Sequence, residues 1–285
     1  MTVTTAPAGT WFITPGHAPD RFTTAHTCGA DVALVDLEDS VPAAAKPTAR
    51  AAARRFFTTS AMAGSTLGVR ISSPATLDGV HDLTTLTAFP VKPQIVLIPK
   101  VESPRDFDIV AGILDTPDYT PLLYALIETP RAVQTLPSIV RADRIAGVLF
   151  GTADYAAAIA STMEWGPMLY ARSALVTSAA AAGIPAIDSP FFDLDDLDGL
   201  RRETEQAKAL GFAGKSCVHP RQLSTVAKVF RPTDEEIAAA RTIVEAAETA
   251  GGRIIRIGHQ MIGPPMVAAA RSLLTRASMP HEVHA

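Results

Sequence analysis

The chain has 285 residues, of which 47% are apolar and 19% charged, and its formal charge is -4. That much apolar sequence builds one large core or two smaller ones and excludes a disordered chain. A slightly acidic protein without a basic face is not a general nucleic-acid binder. No apolar run spans a bilayer, and the opening Met1-Thr2-Val3-Thr4-Thr5-Ala6 lacks the basic and apolar regions of a signal peptide. The two cysteines, Cys28 and Cys217, are too few for a disulfide framework. The expectation is a cytoplasmic protein that binds neither nucleic acid nor membrane.

In chain order, short β-rich runs alternate with helical stretches. Strands are predicted at Trp11–Thr14 and Asp31–Leu37, then a helix over Lys46–Thr58. Strands at Thr66–Ser72 and Gln94–Lys100 precede a helix at Arg105–Leu114. A strand at Leu122–Glu128, a helix at Arg131–Val140 and a strand at Ile145–Gly151 come next. The series closes with a helix at Tyr170–Ala182, a strand at Ile184–Ser189, a helix at Leu197–Leu210 and a strand at Gly214–His219. Most of these strands are near-continuous apolar runs, as strands covered on both faces require. Eight such units predict an α/β fold, a (β/α)₈ TIM barrel over residues 1–230. An open doubly wound sheet would want a Gly-rich phosphate loop after its first strand, and Thr14-Pro15-Gly16-His17-Ala18-Pro19 is not one.

Residues 231–285 are predicted to form a C-terminal helical extension, serving as a lid, an oligomer arm or an outer packing layer. Thr233 followed by Glu236 reads as a capping box opening a helix that runs to about Ala250. A short strand at Arg253–Ile257 and a helix at Met266–Arg276 complete it.

Every predicted strand end from the second to the eighth carries charge: Asp36-Leu37-Glu38-Asp39, Arg70, Lys100, Glu128, Asp154, Asp188, and Lys215 leading to His219. Any one of these also fits a solvated loop residue or a structural ion pair. Together they read as an active site at the barrel mouth. No Gly-x-Ser-x-Gly elbow supports a serine nucleophile. The seven histidines are scattered rather than at zinc-ligand spacing. Lys100 is a formal Schiff-base candidate, but Glu102 nearby is expected to keep it charged and structural. What remains is a hard divalent cation, Mg²⁺, on Glu128 and Asp154, with Arg70 clamping a substrate carboxylate. That combination suits chemistry through an enolate of a 2-oxo acid.

At these residues the chain resembles the citrate lyase β-subunit-like family of the aldolase/citrate lyase superfamily, which includes malyl-CoA and citramalyl-CoA lyases. The matching stretches are residues 14–22, Ala30 through Val41, Val69-Arg70-Ile71-Ser72-Ser73-Pro74, Pro99-Lys100-Val101-Glu102-Ser103, Ile127-Glu128-Thr129, Phe150-Gly151-Thr152-Ala153-Asp154 and residues 214–222. The resemblance implies a Mg²⁺-dependent carbon–carbon lyase acting on a 2-oxo acid and an acyl thioester of CoA or a carrier protein. It also implies a homotrimer or homohexamer. Carried over by position, Glu128 and Asp154 hold the metal and Arg70 holds the oxo-acid carboxylate. Asp36, Glu38 and Asp39 orient metal-bound water and the neighbouring basic groups, or form a purely structural network. Lys46 and Arg50 fit a helix facing the mouth where an acyl-CoA phosphate would land, and equally a solvated helix face. Arg21 is a further cation for the carrier.

The family pattern breaks in three places. A Met-Ile-Asp-x-Pro motif, whose aspartate serves a neighbouring subunit's site as acid/base in the family, reads here Met261-Ile262-Gly263-Pro264-Pro265, with His259 close by as a candidate substitute. An arginine before the first strand is absent from Gly9-Thr10-Trp11, and Thr24 stands where a lysine is common. Each lost cation removes charge-assisted hydrogen bonds of roughly 1.5–3 kcal/mol from a phosphate site. A free hydroxy acid or a carrier-protein thioester is therefore an alternative substrate. A non-catalytic binding subunit is the alternative from another class.

Overall fold

The protein is described by a computed structural model covering residues 8–58, 64–251 and 253–278. Eight parallel strands close into a barrel in chain order, because β1 pairs with both β2 and β8. They are β1 (Gly9–Pro15), β2 (Val32–Asp36), β3 (Thr66–Arg70), β4 (Ile95–Ile98), β5 (Leu122–Ile127), β6 (Ile145–Phe150), β7 (Ala186–Asp188) and β8 (Gly214–Cys217). The helices that follow them are α1 (Phe22–Thr27), α2 (Lys46–Thr58), α3 (Leu77–Thr87), α4 (Arg105–Leu114), α5 (Pro130–Ile139), α6 (Thr152–Ala158), α7 (Trp165–Ala182), α8 (Leu197–Leu210) and α9 (Pro220–Phe230). The predicted barrel is thus the observed one, with β1 longer than predicted and the other seven strands trimmed. At α7 the helix starts five residues before the apolar signal at Tyr170 and stops where Gly183 adopts a left-handed φ of 70°.

Alternation along each strand decides which side chains enter the barrel. Trp11, Val32, Leu34, Ile95, Leu97, Tyr124, Leu126, Leu149 and Ile187 form the interior cluster. Trp11 and Tyr124 meet edge to face with ring centroids 4.7 Å apart. Space for these large side chains comes from Gly68 and Gly147. A Cβ on Gly68 would lie 2.5 Å from Leu34, and one on Gly147 would lie 2.3 Å from the Tyr124 ring. The barrel floor is therefore packed with side chains, which leaves chemistry to the opposite, C-terminal rim.

The chain divides into two compact units, residues 1–227 and 228–285. Within the second, α10 (Asp234–Thr249) opens on the Thr233/Glu236 capping box and packs along α11 (Pro264–Ser278). Between them the predicted single strand is a hairpin, β9 (Ile255–Ile257) paired antiparallel with β10 (Gln260–Ile262). Gly258, with φ of 59°, permits its two-residue turn with His259. Gly263 follows directly, and a side chain there would meet nothing closer than Pro265 Cδ at 3.8 Å.

Candidate active site

Continuing the interior parity of Val32 and Leu34 places Asp36 inward at the top of β2. Register pairs Asp36 with Arg70 across β2 and β3, so the two side chains emerge next to each other. Glu128 continues the inward series of Tyr124 and Leu126 one step beyond β5. Strand parity and register alone thus bring together three of the expected residues.

Asp36 is fully buried. Its carboxylate accepts from Arg70 Nε at 2.7 Å and Nη2 at 2.6 Å, from the Glu38 N–H at 2.9 Å, and from the Ser40 hydroxyl. Burial pushes its pKa up, but the Arg70 guanidinium, with these hydrogen bonds, outweighs burial and holds it below the usual carboxylate range. Arg70 Nη1 lies 3.1 Å from Glu38 Oε2, close enough for an ion pair, while Oε2 itself is buried without a hydrogen bond. Burial and the neighbouring Asp39 raise the Glu38 pKa against the pull of Arg70 and Lys100.

Glu128 is buried and accepts one hydrogen bond, from the Lys100 N–H at 2.9 Å. Burial, then repulsion from Glu38 and Asp154, pushes its pKa well up, against Lys100 and Arg70. The carboxylate fits only because residue 151 is glycine: a Cβ there would lie 2.6 Å from Glu128 Oε2. Asp154 sits half-exposed in the first turn of α6, and Asp39 is exposed on the β2 loop. Lys100 Nζ joins these acids, 2.8 Å from Glu38, 3.4 Å from Asp154 and 3.6 Å from Asp39.

Among the described residues, no group of three or more His, Cys, Asp or Glu comes together as a complete ligand set. Glu128 and Asp154 offer hard oxygen donors, and the buried Glu128 carboxylate accepts only the Lys100 N–H among the described residues. Both facts fit Mg²⁺, which takes one or two carboxylates and fills its other positions with water and substrate oxygens.

The remaining expected residues lie elsewhere or are already engaged. Arg50 is a correction: it is buried between α2 and α3, with Nε 2.6 Å from Asp82 and Nη2 on Asp78, and is not a free cation facing the mouth. Lys46 donates to the carbonyls of Leu37 at 2.6 Å and Glu38 at 3.0 Å and to Ser72 at 3.1 Å, and so clamps the β2 loop. Arg21 is exposed beyond the β1 end, at the entry to α1.

Asp188 and Lys215 are also corrections. Ile187 faces the interior, so Asp188 faces the helices, where it meets Arg172 Nε at 2.8 Å and Lys215 Nζ at 2.6 Å. Glu203 on α8 closes this network 2.7 Å from Lys215. His219 accepts from the Arg221 N–H at 3.1 Å in the turn before α9.

Sequence reasoning counted Lys100 among the charged strand ends but gave it the wrong partner: its ammonium meets Glu38, at the end of β2, rather than Glu102. It also missed Gly151. The clue was available: a glycine directly after a strand whose neighbour ends in a buried acid.

A closed parallel barrel with an inward cluster of carboxylates, one arginine and one lysine at its C-terminal rim defines a TIM-barrel enzyme site for small oxygen-rich substrates. Residues 10–220 match the HpcH/HpaI aldolase/citrate lyase family and residues 170–279 match a C–C bond lyase of the TIM-barrel fold. The chain belongs to the HpcH/HpaI aldolase/citrate lyase family of carbon–carbon lyases. It is 31% identical to the citrate lyase subunit beta of Leuconostoc mesenteroides subsp. cremoris, over 96% of this chain and 94% of that one. Mycobacterium tuberculosis CitE, solved with magnesium, acetoacetate and coenzyme A, superposes with a TM-score of 0.81 at 31% identity, covering 95% of this chain and 99% of that one. RipC from Yersinia pestis is 37% identical with a TM-score of 0.71, over 82% and 99% of the two chains. No helix among the described residues is long and apolar enough to cross a membrane.

Proposed function

We propose that the protein is a Mg²⁺-dependent carbon–carbon lyase that cleaves or forms a 3-hydroxyacyl thioester of the malyl-CoA or citramalyl-CoA type through an enolate. The observation that carries this reading is the Glu128 carboxylate, buried at the mouth with one hydrogen bond from the Lys100 N–H, where Lys100 Nζ also gathers Asp154 and Glu38. Glu128 and Asp154 would hold Mg²⁺, which when bound would polarise a substrate carbonyl oxygen.

Arg70 is fixed by Asp36 along its Nε/Nη2 edge and braced at Nη1 by Glu38, so its guanidinium would meet a substrate carboxylate without further loss of side-chain entropy. Asp36 acts as the holder of that arginine, and Ser40 and the Glu38 N–H hold Asp36 in turn. Glu38 and Asp39 position Lys100 and any water at the rim. The barrel is read as residues 1–230 and the remainder as a C-terminal extension, in a cytoplasmic homo-oligomer.

One observation favours a second reading. Lys46 and Arg50, proposed cations for an acyl carrier, are committed to backbone carbonyls and to aspartates. Only Arg21 of the three is left exposed, which suits a free 2-oxo or hydroxy acid or a carrier other than CoA.

The test is release of glyoxylate from malyl-CoA, or pyruvate from citramalyl-CoA, by the purified protein with Mg²⁺. Release that stops with chelator and in Glu128→Gln is expected. Turnover that survives both rules the metal reading out. Turnover of free acids alone selects the second reading.

A further inference from the structure

Lys100 has the most constrained backbone of the charged residues at the mouth. It lies beyond β4 with φ of 53°, in the left-handed region that side chains other than glycine rarely occupy. In that conformation one residue serves two sides of the site. Its N–H reaches Glu128, and its ammonium lies 2.8 Å from Glu38 and 3.4 Å from Asp154.

A tethered monovalent cation therefore sits against Asp154, one of the two carboxylates that the proposed function assigns to a divalent one. Like charges this close repel, so the ammonium and the metal compete for Asp154. The side chain is 38% exposed and can leave without repacking the core. The other cation at the rim is held in place, because Arg70 has Nε and Nη2 on Asp36 and Nη1 against Glu38, so Lys100 is the one left to change partners.

We propose that Lys100 is a built-in counter-ion, displaced from Asp154 when the divalent cation arrives and then free to pair with the carboxylate of the incoming 2-oxo acid. The inference rests on Glu128 and Asp154 being the metal ligands. In its logic Lys100 weakens metal binding to the free protein and strengthens anion binding to the metal-loaded one. A merely structural lysine would do neither, since its loss would loosen Glu38 and the metal together.

Titration of the purified protein with Mn²⁺, read from the free-ion EPR signal, separates these. Lys100→Met should bind Mn²⁺ about tenfold more tightly than the wild type, and its Mn²⁺-loaded form should bind pyruvate about tenfold more weakly by calorimetry. Lys100→Gly suits the left-handed backbone, so it guards against misfolding and should show the same pair of shifts. Lys100→Arg keeps the charge and should stay near the wild type in metal affinity. Mn²⁺ affinity that is unchanged or weaker in both Lys100→Met and Lys100→Gly overturns the inference while leaving the metal reading intact. Absence of Mn²⁺ binding in the wild type and all variants overturns both.

Discussion

The most direct physical test of the site is the addition of one methyl group. Gly151 has φ of -104°, which any residue tolerates, so Gly151→Ala introduces no backbone strain. Its new Cβ would lie 2.5 Å from Glu128 Cβ and 2.6 Å from Glu128 Oε2, where ordinary contact begins at 3.4 Å. About 0.9 Å of separation must therefore be found, and a misplacement near 1 Å costs about 10²-fold in rate. Glu128 Cβ is anchored by the β5 backbone, so either the carboxylate rotates or the start of α6 shifts and carries Asp154 with it. Both movements change the spacing of the two proposed ligands. Overpacking of this kind costs about 1–3 kcal/mol of stability. Lyase assays should show kcat/KM down about a hundredfold, with Mn²⁺ binding weakened in parallel and a modest fall in Tm. Gly166→Ala, where the added Cβ meets nothing within 4 Å, is the control and should be neutral or slightly stabilising. Activity of Gly151→Ala within about threefold of wild type would refute the claim that residue 151 shapes the site.

Two further outcomes follow from the charges. The Glu128 pKa is raised in the folded protein, so the metal-free protein loses stability as pH rises from the usual carboxylate value, 4.5, through the higher folded one. A metal needs the ionised form, so the Mg²⁺-induced rise in Tm should grow with pH across that window and vanish in Glu128→Gln. Thermal melts with and without Mg²⁺ at several pH values check this, and a pH-independent Mg²⁺ effect contradicts it. Lys215→Met would leave the fully buried Asp188 and the Glu203 carboxylate to share Arg172 alone, costing up to about 3 kcal/mol by denaturant melts. The substrate KM should be unchanged, because this network faces the helices; a KM effect at intact stability would place it in the site.

Much of the architecture was legible in the chain because each element obeys a local rule. The near-continuous apolar runs at residues 32–36, 95–98 and 122–127 can be satisfied only by strands covered on both faces, and their alternation with helical segments demands parallel pairing. The Thr233/Glu236 box announced α10, since its two hydrogen bonds are made within four residues. The hairpin at 255–262 escaped because strands of three residues carry too little pattern to be seen.

For the site, charge at the strand ends was visible, but the direction of each side chain was not. Asp36, Arg70 and Glu128 enter the mouth, whereas Asp188 and Lys215, equally charged and equally near a strand end, turn to the helices because strand parity differs by one residue. Arg50 looked like a free cation until α3 brought Asp78 and Asp82 against it. Residue types and local order thus came from the sequence itself, because they depend on chemistry within a few positions. Which charges meet was decided by the closure of the barrel, because an ion pair such as Lys100 with Glu38 joins residues 62 apart and exists only once both strands are in register.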